Sequence, residues 1–267
     1  YTFKNFSTSP GDFSPLSHHR FIAVSEDSNG HLWFTTYNFH IYRLNRYTEQ
    51  FEDVVSLIEG VDSKHYRAGF CMHDAAGGTW VTIAGLGAVR FADAADASPV
   101  RVDACFDAAA LGGEVTAMYV DDRNNAWIAA ADGRLNLVPF TEPRRVRTVC
   151  ETAAPGFAFA SDAEFIYCAT PGAVVRTDKQ GTAAVQIPGA VSSLTAITAD
   201  SVRREVYVGS RTGDLYRVME NRLAHLTPRG PRPHRIRNLA ADSHGIVWVT
   251  TPEAGITRYN PATDDYK

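Results

Sequence analysis

Residues 24–36 read Val24-Ser25-Glu26-Asp27-Ser28-Asn29-Gly30-His31-Leu32-Trp33-Phe34-Thr35-Thr36, and this stretch decides the fold. A strand-like run ends in an acidic, amide- and glycine-bearing turn, and a second strand follows around a tryptophan. The arrangement returns along the chain. Trp33, Trp80, Trp127 and Trp248 are the four tryptophans of the protein, and Tyr167 and Tyr207 hold the same place in two worn copies. The six positions are spaced 47, 47, 40, 40 and 41 residues apart, a mean of 43. A repeated unit of that length cannot bury its apolar face alone and must stack on its neighbours. With strand-like copies, the period indicates a β-propeller.

The first copy lays out one blade. Arg20 to Ser25 is a strand, Glu26 to Gly30 a turn, His31 to Thr36 a second strand and Tyr37 to His40 a loop. Ile41 to Leu44 and Phe51 to Leu57 supply the third and fourth strands. The expected architecture is all-β: one propeller domain over residues 1–267, with four-stranded blades near 20–57, 67–107, 114–150, 156–187, 193–227 and 235–267 plus 1–7. Thr263-Asp264-Asp265-Tyr266 matches Thr48-Glu49-Gln50-Phe51, so the chain is expected to stop where the sixth outer strand begins. Thr2-Phe3-Lys4-Asn5-Phe6 reads as an orphan outer strand that completes this blade and removes exposed edges. An incomplete ring of a larger parent is the alternative.

Composition narrows the function. A hydrophobic share of 45% supports a packed core, and a net charge of −4 provides no global field toward nucleic acid or a membrane surface. No apolar run is long enough to span a bilayer. Tyr1 reads as an internal strand residue, so the segment is expected to come from a longer chain. Cys71, Cys105, Cys150 and Cys168 lack metal-ligand spacing; Cys71 and Cys168 fall in strands, and a Cys105–Cys150 bridge is left open. The sequence calls for no cofactor and no metal.

Asp27, Asp74, Asp121 and Asp242 each lie six residues before a tryptophan. Each begins a turn, where a carboxylate accepts local backbone N–H bonds, so their expected role is structural. The tryptophans are expected to fill the space between adjacent blades.

In a propeller, the segment leading into the first strand and the loop leaving the second open on one face. On that face lie His18, His19 and Arg20 in copy one, His65, Tyr66 and Arg67 in copy two, and His234 and Arg235 in copy six. Tyr37, Asn38, Phe39 and His40 join them from the second loop of copy one, and Arg211 from that of copy five. Flat rings and planar donors suit sugars, and Arg or His suits carboxylate or sulfate. The bland reading is a solvated rim whose cations pair with neighbouring acids. No Gly-x-Ser-x-Gly elbow, P-loop or His-x-x-x-His pair is present, so no enzyme is expected. Ala23, Ala117, Ala158, Ala196 and Ala240 on the inner strands argue against a polar channel.

The 24–36 block resembles the two-component regulator propeller repeat. Asp242 to Thr251, followed by Gly255-Ile256-Thr257-Arg258-Tyr259-Asn260-Pro261, matches that pattern more fully, and Phe3 to Phe6 resembles its outer strand. Copies three to five depart from it, with Ala and Asn for Gly and Tyr for Trp. The resemblance implies the periplasmic sensor region of a hybrid histidine kinase, anchored in the inner membrane and dimeric, of the kind found in glycan-degrading Bacteroidetes. It implies as partners an oligosaccharide, acidic ones included, or other domains of the same sensor. Two other readings stand beside it: a protein-interaction propeller without a small ligand, and a propeller lactonase or lyase.

Overall fold

A computed structural model describes residues 21–36, 40–61, 67–92, 95–189, 193–231, 233–253 and 255–267. These residues form six four-stranded antiparallel sheets, each from four strands consecutive in sequence, the blades of an all-β propeller. They group into two compact units, residues 1–110 with 122–124 and residues 111–121 with 125–267. The first unit holds a sheet of β1 (Phe21–Glu26), β2 (Leu32–Thr36), β3 (Ile41–Leu44) and β4 (Phe51–Asp53). Its second sheet is β5 (Ala68–His73), β6 (Gly78–Ile83), β7 (Gly87–Ala92) and β8 (Arg101–Asp107).

Four sheets make up the other unit. They are β9 (Val115–Val120), β10 (Ala126–Ala130), β11 (Arg134–Val138) and β12 (Arg147–Glu151), then β13 (Ala158–Ser161), β14 (Phe165–Ala169), β15 (Ala173–Asp178) and β16 (Ala184–Pro188). Next come β17 (Leu194–Asp200), β18 (Glu205–Ser210), β19 (Leu215–Val218) and β20 (Leu223–Leu226). The last sheet is β21 (Asn238–Ala241), β22 (Val247–Thr251), β23 (Gly255–Asn260) and β24 (Asp265–Tyr266).

Strand alternation gives each sheet an aromatic face and an opposite face, and within each unit the two faces meet in one order. Trp33 and Ile41 pack on Val81, Val89 and Phe91 of the next sheet. Trp127 and Leu135 pack on Ile166, Cys168 and Val175; Tyr167 and Val174 pack on Val206, Val208 and Tyr216. Tyr207 and Leu215 pack on Val247, Val249 and Tyr259. Trp33, Trp127, Tyr167 and Tyr207 thus fill the gaps between sheets, as their spacing predicts, whereas Trp248 is 40% exposed.

Each repeated Asp does more than close its turn. Asp27 Oδ1 accepts the N–H groups of Asn29 and His31, both at 2.9 Å, while Oδ2 accepts the Trp33 indole N–H at 2.7 Å. Asp121 and Asp242 repeat this clamp on Trp127 at 2.8 Å and Trp248 at 2.9 Å. Where Tyr replaces Trp, the phenol donates to Asp162 at 2.8 Å or to Glu205. The second copy differs. Arg90 reaches Asp74 at 2.8 Å and also pairs with Asp103, taking the carboxylate oxygen that the indole would use. Among the described residues the buried Trp80 Nε1 then meets no acceptor. Gly78 makes room for this, since a Cβ there would collide with both Asp74 and Arg90.

Polar inner-strand side chains latch neighbouring sheets. Thr116 Oγ1 donates to Gly156 O at 2.6 Å, and Thr195 Oγ1 to Ile236 O at 2.6 Å. His73 bridges Thr79 at 2.9 Å and Ser25 at 2.7 Å, and Tyr119 meets Ser161 at 2.7 Å. Ala117 and Ala196 are buried, whereas Ala23 and Ala240 are exposed. Period-2 alternation separated the two faces of each strand but not which hydroxyl would find a carbonyl one sheet away.

In the sixth sheet the outer strand starts where the sequence places it, at the C-terminal residues. The chain itself supplies a fourth strand there, with Tyr259 opposite Tyr266 and Asn260 opposite Asp265. Asp264 takes φ 49° to make the turn, and the Tyr259 hydroxyl donates to Asp264 Oδ1 at 3.1 Å. A short polar residue tolerates that left-handed conformation, so two residues suffice to start the strand. Residues 1–7, expected to complete this blade, lie outside the described residues. The four cysteines are free thiols, which removes the Cys105–Cys150 bridge.

Candidate functional site

In the second unit, β18 ends at Ser210 and the turn Arg211 to Asp214 leads into β19. The Asp214 N–H donates to Ser210 Oγ at 2.9 Å and the Arg211 N–H to Ser193 O at 2.8 Å, which fixes the turn. The segment before β21 lies directly on it. The Ile236 N–H donates to Ser210 O at 3.1 Å, and a Cβ on Gly213 would collide with the Pro233 carbonyl. Glycine at φ 83° is therefore required twice over, by conformation and by space. The outcome is that Arg211, His234 and Arg235, all exposed, project from two adjoining segments.

Beside them is a hollow of about 110 Å³, lined by Gly213, Leu215, His225, Pro228 and Tyr266 among others. The β19–β20 register sets Tyr216 opposite His225 and so brings the imidazole back to the turn. His225 Nε2 lies 3.0 Å from Asp214 Oδ1, and its ring packs on Tyr216 at 5.2 Å. Asp214 Oδ2 accepts from the Thr212 hydroxyl at 2.5 Å. With Nε2–H turned to the carboxylate, Nδ1 carries the lone pair of the neutral ring. This edge therefore combines two guanidinium groups, two imidazoles and one oriented carboxylate. It can hold an anionic group through charge-assisted hydrogen bonds, and His225 can accept a proton.

His225 and Asp214 were missing from the sequence reading. They are 11 residues apart on facing strands of a short hairpin, and only the register of that hairpin could have revealed them.

Of the residues singled out from sequence, Arg211, His234 and Arg235 are brought together. His40 and Arg67 belong to the first unit. The His40 carbonyl accepts the Thr36 N–H at 3.0 Å, its ring stacks on Tyr42, and Nδ1 lies 3.6 Å from Asp53. The His40 carbonyl thus closes a turn while its ring stacks on Tyr42. Arg67 is exposed, and its carbonyl accepts the Ala84 N–H at 2.8 Å. His18, His19, Arg20, Tyr37, Asn38, Phe39, His65 and Tyr66 lie outside the described residues. Among the described residues no group of three His, Cys, Asp or Glu could hold a metal ion, and no helix is long and apolar enough to cross a membrane.

Residues 15–38 match the sequence model of the two component regulator propeller. No curated protein matches the chain. Among solved structures, selenomethionine-substituted virginiamycin B lyase from Staphylococcus aureus is similar at TM-score 0.65 and 11% identity, over 91% of this chain and 82% of that one. A streptogramin B lyase structure is similar at TM-score 0.61 and 11% identity, over 92% of this chain and 80% of that one. At such identity the likeness is one of fold. Both similar structures are lyases, so the expectation that no enzyme is present is withdrawn. The missing motifs carry little weight, because a propeller can assemble a site from residues distant in sequence.

Proposed function

We propose that this chain is the recognition propeller of a two-component sensor, and that the edge formed by Arg211, His234 and Arg235 takes an anionic group such as the carboxylate or sulfate of an acidic oligosaccharide. The observation that carries this reading is the locking of the two basic segments by Ser210 and Gly213. Fixed backbones place two arginines on adjoining segments, and planar guanidinium donors suit a carboxylate or sulfate better than a neutral sugar. The repeat match at residues 15–38 supports the sensor assignment. On this reading the parent is a membrane-anchored, dimeric histidine kinase with the propeller in the periplasm. Ligand acts there by changing how the propeller packs on its neighbours.

Calorimetric titration with acidic and neutral oligosaccharides tests the proposal, with Arg211→Ala/Arg235→Ala as the control. Saturable binding of an acidic sugar that the double variant loses supports it. Equal binding by the variant, or binding of neutral sugars alone, refutes it.

One observation favours a second reading. His225, oriented by Asp214 beside the hollow, is placed to move a proton, and the similar structures are lyases. Consumption of virginiamycin B by the protein, abolished in His225→Ala, would favour that chemistry over recognition.

A further inference from the structure

The turns between first and second strands lie at the other end of each sheet from the basic edge. In the fifth sheet Arg204 directly precedes β18, and Arg211 directly follows it. At this end the fifth and sixth sheets are joined, since Arg203 Nη1 donates to the Gly245 carbonyl. Where the fourth sheet meets the fifth, the same corner holds a hollow of about 230 Å³, lined by Asp162, Ala163, Glu164, Phe165, Tyr167 and Arg204. Its aromatic wall is fixed. The Phe165 ring lies edge-on to Tyr167 with centroids 6.4 Å apart, and the Arg176 guanidinium stands 5.0 Å over the Phe165 ring. Asp162 is engaged in the fold. One of its oxygens accepts the N–H groups of Glu164 at 2.8 Å and Phe165 at 2.7 Å, and the other accepts the Tyr167 hydroxyl at 2.8 Å.

Two charged groups on the hollow are uncommitted. Glu164 and Arg204 are both exposed, and among the described residues neither forms an ion pair. The acids that flank Arg204 in sequence, Asp200 and Glu205, are taken by Arg203 and Arg217. Arg204 also holds φ 56°, a conformation that is strained for arginine and not for glycine. Gly30 and Gly245 occupy the same place in the first and sixth sheets at φ 80° and 72°, so the turn itself does not require the side chain. We propose that this hollow binds a small zwitterion with an apolar side chain, a free α-amino acid such as leucine. Arg204 takes its carboxylate, Glu164 its ammonium, and Phe165 with Tyr167 packs on its side chain. Opposite charges that do not neutralise each other, set beside an aromatic wall, complement a ligand carrying both charges and an apolar group. A neutral sugar would leave both groups without a counter-charge, and a simple anion would be opposed by Glu164. The site is separate from the Arg211 edge and does not depend on the function proposed for that edge.

Calorimetric titration with leucine and phenylalanine tests this, beside leucinamide, N-acetylleucine and glucose. Leucine or phenylalanine should bind saturably, and the two capped forms, each lacking one charge, should bind roughly tenfold or more weakly. Arg204→Gly and Glu164→Gln should each weaken the amino acid by a similar factor, while Arg211→Ala/Arg235→Ala leaves it unchanged. Arg204→Gly relieves the left-handed strain, so it should melt no earlier than the unaltered protein, which separates a lost ligand contact from a lost fold. Absence of binding by both amino acids overturns the proposal. So do capped forms or glucose that bind as well as leucine, hollow variants that bind as well as the unaltered protein, or a loss of binding in Arg211→Ala/Arg235→Ala.

Discussion

Asp121→Ala is expected to cost far more than Asp242→Ala, although both remove the same residue of the same repeat. Asp121 is buried and Trp127 is fully enclosed. Removing the carboxylate leaves the Trp127 indole N–H without its acceptor at 2.8 Å and the Asn125 N–H without its acceptor at 2.9 Å. A buried donor that loses its partner costs roughly 1–3 kcal/mol, so the pair is worth about 2–6 kcal/mol. For a protein of this size that corresponds to a fall in melting temperature of about 10 °C. Asp242 binds the N–H groups of His244 and Ile246 and the Trp248 indole in the same way. Its surroundings are open, so water replaces the carboxylate and the loss should be clearly smaller. Asp121→Asn, which keeps one carbonyl oxygen of two, should fall between. Urea unfolding followed by tryptophan emission measures all three. If the two alanine variants lose equal stability, or if Asp121→Ala loses less than about 1 kcal/mol, burial does not govern the clamp.

Three further outcomes can be checked on the same protein. Thr116→Val should lose about 1 kcal/mol in urea, because the Gly156 carbonyl forfeits its 2.6 Å donor while volume is kept; an unchanged midpoint would show the latch to be idle. Burial holds the His73 imidazole below its ordinary 6.5 against the pull of Asp27 and Asp74. The unfolded chain therefore takes up the proton more readily, so stability is full above pH 6.5 and declines below it. His73→Gln should flatten that decline in melts between pH 7 and 5, and an unchanged slope would exclude His73. With a thiol reagent, exposed Cys105 should react first, half-buried Cys71, pushed up to about 12 chiefly by burial, should react more slowly, and Cys168, buried in the core, should wait for unfolding. Early labelling of Cys168 would contradict its enclosure in the core.

Much of the fold was legible because the repeat records its own packing rule. The tryptophan spacing, the turn acids and the alternating strands each reflect local geometry, and together they define the sheets and their faces. The site was legible only in part. Arg211, His234 and Arg235 could be sorted to one edge from strand direction alone, because loops at one end of a blade open together. The Asp214–His225 pair could not, since it depends on the register of β19 against β20, and a slip of one residue would turn the imidazole to the other side. His40 was legible as a rim residue, but not its engagement with Tyr42 and Asp53.

The worn copies show why the frame survives where its signature fades. The turn that needs a left-handed residue uses Gly30 at φ 80° in the first copy, Asn124 at 64° in the third and Arg204 at 56° in the fifth. Asn bears that conformation easily and Arg less so, and Arg204 is tolerated in a turn closed by Asp200, which accepts the N–H of Val202 at 2.8 Å. The tyrosines are handled in the same manner. A phenol hydroxyl lies farther along the side chain than an indole N–H, and the acceptor has moved accordingly, to Asp162 five residues before Tyr167 and to Glu205 two before Tyr207. Burial raises both phenols well above their ordinary value, which keeps them neutral donors to those acids. What each copy preserves is a filled gap and a satisfied polar atom, and the residues doing so are free to change. Loop residues at the sheet ends are under no such demand, so Arg211 and His234 stand out from the repeat. The residues proposed for recognition thus lie in the differences between copies and not in the shared pattern.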